Sequence, residues 1–170
     1  MRIELLHPMT VHFAIGLLTS GVVAGLLGSM FKQPRLADAG KLALWFGWAF
    51  AAVAVTTGLV AEGRIVKDPA IGDLLETHET LAFISLAVFA TVAAGWWMVP
   101  AGPASRLRPW LHLTGVIGLG LLLATGYFGG EMVYQHGAAV WRAGQPVVQQ
   151  GPNLPAPHGS GRPTSRPEAH

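Results

Sequence analysis

The chain has 170 residues with 51% hydrophobic and 12% charged side chains, against roughly 25% charged in an ordinary soluble domain, so a water-soluble enzyme is excluded as the first reading. There is no cysteine, which removes disulfides and thiolate metal sites. The formal charge of +2 comes from scattered Lys and Arg rather than a cluster, which leaves nucleic-acid binding without support.

Four apolar stretches are long enough for a hydrocarbon core, which takes about 20 helical residues. The first runs from about Met9 to Phe31 and opens on His7, Pro8 and His12. Arg2 ahead of it gives a signal-like start, but the two histidines, the proline and the length of the run mark it as a retained span. Gly21-Val-Val-Ala-Gly25 within it is a small-xxx-small motif and predicts close helix packing. The second span covers about 42–61. The connection after it carries Glu76-Thr-His78-Glu79; Glu76 and Glu79 suit the acid-rich first turn of the third span, about 80–99. The fourth covers about 110–129, and 130–143 reads as a short interfacial helix with Glu131, His136 and Arg142 on its polar side. From Gly144 to His170 six prolines and four glycines stand in 27 residues without apolar periodicity, which predicts a disordered tail.

No span contains Asp, Glu, Lys or Arg, and the connections are short. The expected fold is therefore all-α: an integral membrane four-helix up-and-down bundle over residues 1–143, followed by the tail. Let side A be the end that holds the N-terminus and side B the opposite end. Side B then receives Lys32, Arg35, Lys41, Arg106 and Arg108 against the single acid Asp38, while Arg2, Arg64, Lys67 and Arg142 are spread over side A among several acids. Basic residues crowded into short loops favour the cytoplasm. Side A, with the N-terminus and the tail, is expected to face the periplasm of a bacterial inner membrane. Trp45, Trp48, Trp96, Trp97 and Trp110 all fall at side B ends and form the expected aromatic belt.

The two halves echo each other, as in a duplicated pair of helices. His12, Gly16 and Thr19 match His78, Ala82 and Ser85 in spacing, and Thr57-Gly58 with Glu62 matches Thr125-Gly126 with Glu131. This frame makes His12 and His78 equivalent, on one helical face each and at similar depth near side A. Imidazoles beside hydrocarbon must find partners, because unsatisfied polar groups are costly there. Two such rings on neighbouring helices fit bis-imidazole ligation of a b-type haem, with Gly16 and Ala82 leaving room for the macrocycle and Thr19, Ser85, Glu62 or Glu131 orienting the second ring nitrogens. Structural hydrogen bonding, or copper, zinc or proton chemistry, are the other readings of the pair. His7 and His136 are the next candidate ligands. His112, alone at side B, reads as an interfacial hydrogen-bonding residue. No phosphate loop, Ser-His-Asp pattern or nucleophilic cysteine is present, so hydrolysis and phosphoryl transfer lack apparatus.

The opening Leu6-His7-Pro8-Met9-Thr10-Val11-His12-Phe13-Ala14-Ile15-Gly16-Leu17 and the closing Gly129-Gly130-Glu131-Met132-Val133-Tyr134-Gln135-His136-Gly137 resemble the bacterial membrane family known as domain of unknown function 2231, over about residues 6–140. In that family the opening reads His-Pro, two residues, then Val-His-Phe-Pro; here Ala14 stands in place of the second proline, which leaves the first span straighter. The resemblance implies a four-span membrane protein found beside respiratory or redox components, and it draws attention to His7, His12 and His136. Two functional expectations follow. One is a haem b electron-transfer subunit working between quinone and periplasmic redox proteins, more an accessory than a stand-alone enzyme. The other is a non-redox membrane module, alone or as a homo-oligomer, whose histidines bind copper or zinc or only hold the fold.

Overall fold

A computed structural model describes residues 6–63, 69–99, 105–138, 140–142 and 145–146. Four helices carry nearly all of it: α1 (Leu6–Met30), α2 (Pro34–Glu62), α3 (Pro69–Met98) and α4 (Arg108–Tyr134). All four are long and apolar enough to cross a membrane. A two-stranded antiparallel ladder, β1 (Trp141–Arg142) with β2 (Gln145–Pro146), follows α4.

The helices outrun the apolar spans because prolines set their starts. Pro34, Pro69 and Pro109 all stand at helix beginnings, where a missing N–H costs nothing. α3 consequently begins at Pro69, and Glu76 and Glu79 lie in its interior rather than in its first turn, which holds no acid. The expected capping role of these two glutamates is therefore not what the structure places there. α1 ends through Lys32, which adopts φ 53° while Gln33 N–H reaches Gly28 O at 2.8 Å. This left-handed C-terminal turn reverses the chain within three residues.

Of the interfacial helix expected over 130–143, residues 130–134 continue α4 and a turn follows. Gly137 at φ 66° bends the chain back, and Ala138 N–H bonds Met132 O at 2.9 Å. Ala138 and Met132 are then buried against Ile71 and Leu75 of α3, a small apolar contact that outweighs continuing the helix. The expected disordered tail lies, apart from Gln145–Pro146, outside the described residues, as do Arg2, Arg64 and Lys67.

Each helix neighbours the next and α4 closes back on α1, so α1 and α3 stand diagonally opposite. The α1–α2 pair is the most intimate, followed by α3–α4, and the two pairs touch more lightly. Glycine explains the difference. A Cβ on Gly21 would stand 2.9 Å from the Leu44 backbone nitrogen, and one on Gly40 would stand 2.8 Å from that of Gly25, so the α1 and α2 backbones run in contact, as the small-xxx-small motif predicts. Between α3 and α4 the corresponding spaces are filled by side chains, Gly118 against Phe89 and Gly95 against Leu111. The main core, Leu18, Val22, Leu44, Phe89, Val92, Ala93 and Trp96, occupies the middle and side B half of the bundle. Of the five belt tryptophans, Trp45, Trp97 and Trp110 are exposed; Trp96 is instead buried, and Trp48 bridges α2 to α3 through Nε1 and Leu86 O at 3.2 Å.

Candidate functional site

The side A half of the bundle sets polar groups beside the small Ile71, Leu75, Met132 and Ala138 cluster. His7, on α1, donates from Nδ1 to Ala54 O of α2 at 2.8 Å, and His78, on α3, donates from Nδ1 to Thr125 O of α4 at 2.9 Å. A carbonyl oxygen can only accept, so both rings carry a proton on Nδ1, and in the neutral ring Nε2 is the nitrogen with the lone pair. The two bonds span the same 47 positions. Beneath each ring sits a glycine of the facing helix: a Cβ on Gly58 would stand 3.0 Å from His7 Cε1, and one on Gly129 would stand 3.0 Å from His78 Cε1.

The repeat between the halves is therefore real at the level of contacts, and its frame is a shift of 71 positions: His7 to His78, Ala54 to Thr125, Gly58 to Gly129, Leu18 to Phe89 and Gly47 to Gly118. The partner of His78 in this frame is His7, not His12. Because α1 and α3 are diagonal, the two equivalent rings come together at the centre of the bundle, with centroids 6.5 Å apart and planes 80° apart.

His12 lies on the exposed face of α1, and its Nδ1 is bonded back to Pro8 O of its own helix. His136 follows the end of α4, half-buried, with Nδ1 3.5 Å from Glu131 O, too long for more than a weak bond. The expected set of four thus divides into one pair, His7 with His78, and two separate residues. Among the described residues no group of three or more His, Asp or Glu is placed to hold a metal ion. Of the groups expected to orient the histidines, Thr19 is exposed, while buried Ser85 meets, hydroxyl to hydroxyl at 3.4 Å, the same Thr125 whose carbonyl takes the His78 bond. Carbonyls of Ala54 and Thr125 do the orienting, which no side-chain inventory reveals. Gly58 and Gly129 were equally hidden, although the 71-residue period carried by both histidines and both glycines is a signal the sequence contains.

Residues 4–142 match the family described as Predicted membrane protein (DUF2231). The chain belongs to this family. Comparisons with curated proteins and with solved structures give no match. As a DUF2231 member with four candidate spans, it is a multi-pass membrane protein whose long apolar faces contact the lipid bilayer.

Proposed function

We propose that this DUF2231 protein is a b-type haem-binding electron-transfer subunit of the bacterial inner membrane, in which His7 and His78 would hold the haem. The observation that carries the reading is the pair itself: two diagonal helices bring equivalent imidazoles together, each with Nδ1–H given to a backbone carbonyl and Nε2 left as a donor. Metal-ligating histidines characteristically spend the other ring nitrogen in this way. The two ring centroids stand 6.5 Å apart, so His7 and His78 are the two side chains that would hold one group between them. The donor number favours haem over a zinc or copper site, since zinc asks for three or four protein ligands, whereas a porphyrin supplies four and leaves two places for the protein. The lightly packed seam between the helix pairs is where a flat macrocycle would enter.

When bound, a haem would supply one-electron chemistry. The chain's own part is to hold both imidazoles neutral and in register. The asymmetry between halves falls beside His78, where Ser85 and Thr125 supply hydroxyls at positions that Ala14 and Ala54 fill beside His7. With side A periplasmic, the pair lies toward the periplasmic surface, within reach of soluble redox proteins, while quinone would approach through the lipid.

The test is the absorption spectrum of detergent-purified protein expressed with ample haem, oxidised and dithionite-reduced, with haem and metals quantified per chain. A Soret band that shifts on reduction is expected, lost in His7→Ala and in His78→Ala and kept in His12→Ala. A colourless protein carrying copper or zinc in proportion to the same two histidines would make the pair a site of the non-redox module; a colourless, metal-free protein would leave the rings as hydrogen-bonding struts.

A further inference from the structure

The outward face of α1 differs in chemistry from the equivalent face of α3. Gly16 is exposed, and a Cβ there would meet nothing within 4 Å. The residues that surround it on the helix surface, three and four positions away, are His12, Phe13, Thr19 and Ser20, all exposed. Phe13 is stacked on Phe50 of α2, with centroids 5.2 Å and planes 24° apart. The hydroxyls of Thr19 and Ser20 bond to no other described residue. In the 71-residue frame the same places on α3 hold Phe83, Ile84, Ala87, Ala90 and Thr91. Phe83 and Ile84 are 48% and 44% exposed, and Thr91 gives its hydroxyl to Ala87 O at 3.0 Å. α3 thus turns an apolar surface to lipid, while α1 turns out an open notch rimmed by an imidazole, a phenyl stack and two hydroxyls.

Depth and hydrogen bonding select what fills the notch. Phe83, the equivalent of His12, lies fourteen residues before the exposed belt residue Trp97, which is roughly 21 Å of helix. In a hydrocarbon core about 30 Å thick, His12 then stands roughly 9 Å inside the side A boundary, below the headgroups. Its Nδ1 is given to Pro8 O, so in the neutral ring Nε2 can only accept. An acceptor in hydrocarbon is costly until a donor reaches it. A second copy related by a two-fold axis along the membrane normal would bring His12 against His12, acceptor facing acceptor. The occupant that fits is a lipid-soluble molecule with its own O–H and a flat ring for the phenyl stack.

We propose that the notch over Gly16 binds a quinol, which lies over the glycine beside Phe13, gives one O–H to His12 Nε2 and turns its other edge toward Thr19 and Ser20. The site gives the quinone of the proposed function a place on the chain. It rests on that reading only for the destination of the electrons, since binding depends on the notch alone.

Thermal unfolding of the full chain in detergent with dithionite, titrated with decylhydroquinone or with its dimethyl ether, tests the site, since a ligand of the folded state raises the midpoint according to its affinity. The hydroquinone should raise the midpoint of the wild type. The ether, with the same ring and tail but no O–H, should bind about tenfold more weakly, the loss of one hydrogen bond. His12→Phe, which gives α1 the residue type that α3 carries at Phe83, should lose the same factor. Gly16→Leu fills the notch and should abolish the response while keeping the midpoint of the unliganded protein. Equal protection by the ether, or unchanged binding in both variants, would overturn the proposal in favour of unselective partitioning. A dimer that dissociates in Gly16→Leu would overturn it in favour of a second copy on this face. Should Gly16→Leu not fold, His12→Phe decides by the same tenfold loss. Haem quantified in the same samples separates the two readings: a colourless protein that binds the hydroquinone keeps the site without a haem acceptor, and a haem-loaded protein that does not bind it loses the site alone.

Discussion

A histidine near hydrocarbon is defined by the first atom its ring can reach. For His12 that atom belongs to its own helix, Pro8 O; for His7 and His78 it belongs to the neighbouring helix, Ala54 O and Thr125 O. The sequence shows all three as histidines near side A and offers two frames for pairing the halves, five positions apart. Choosing between them needs to know which face of α1 is buried, and α1 is apolar all round, so hydrophobic periodicity is silent there. The glycines under the rings give a test at this scale. Gly129→Ala gains about 0.5–1 kcal/mol of helix propensity, but its Cβ would stand 3.0 Å from His78 Cε1, and the ring cannot yield without loosening its 2.9 Å bond to Thr125 O. Stranding a donor and an acceptor costs about 1–3 kcal/mol, so the loss wins. Gly126→Ala, on the same helix with nothing within 4 Å of the new Cβ, keeps the gain alone. Thermal unfolding in micelles should therefore rank Gly126→Ala at or above wild type and Gly129→Ala below it; equal midpoints for the two would mean that the ring is free to move and the bond contributes little.

Among the elements, the four helices were legible from apolar length, and their extensions beyond it were not. Length of hydrocarbon-compatible sequence reports where a helix crosses lipid, whereas the helix itself runs on until the backbone is turned, here at Lys32 and Gly137 or at starting prolines. The packing of α1 on α2 was legible in part, since Gly21 and Gly25 announced a close seam but not its partner, Gly40. That seam predicts a graded response. Gly21→Leu or Gly40→Leu would drive a side chain into a backbone already 2.8–2.9 Å from the first added carbon, and overpacking of this kind costs about 1–3 kcal/mol or more. Gly16→Leu adds the same volume to the same helix pair where nothing lies within 4 Å and should leave stability unchanged. Unfolding in mixed micelles, followed by helix content, checks this; a Gly16→Leu loss matching that of Gly21→Leu would show that the outer face of α1 is covered in the detergent-purified state.

For the whole molecule, orientation decides which surface the histidine pair faces. Lys and Arg in short connections hold their loops in the cytoplasm at insertion, and side B carries Lys32, Arg35, Lys41, Arg106 and Arg108, two of them, Arg35 and Arg108, within the first turns of α2 and α4. With side B in the cytoplasm, the His7–His78 pair would stand at the periplasmic end of the bundle axis. An alkaline phosphatase fusion, active only when exported, should accordingly be active at the C-terminus and inactive when inserted at residues 31–33. Substituting Arg106 and Arg108 together by Gln weakens the bias on the α3–α4 connection and leaves that of the α1–α2 turn, so the orientation should persist with a mixed population at most; removing Lys32, Arg35 and Lys41 as well should raise phosphatase activity at 31–33. Activity there in the unaltered chain would invert the assignment, put the histidine pair toward the cytoplasm and require its electron partners to be sought on that side, while leaving the geometry that brings the two rings together untouched.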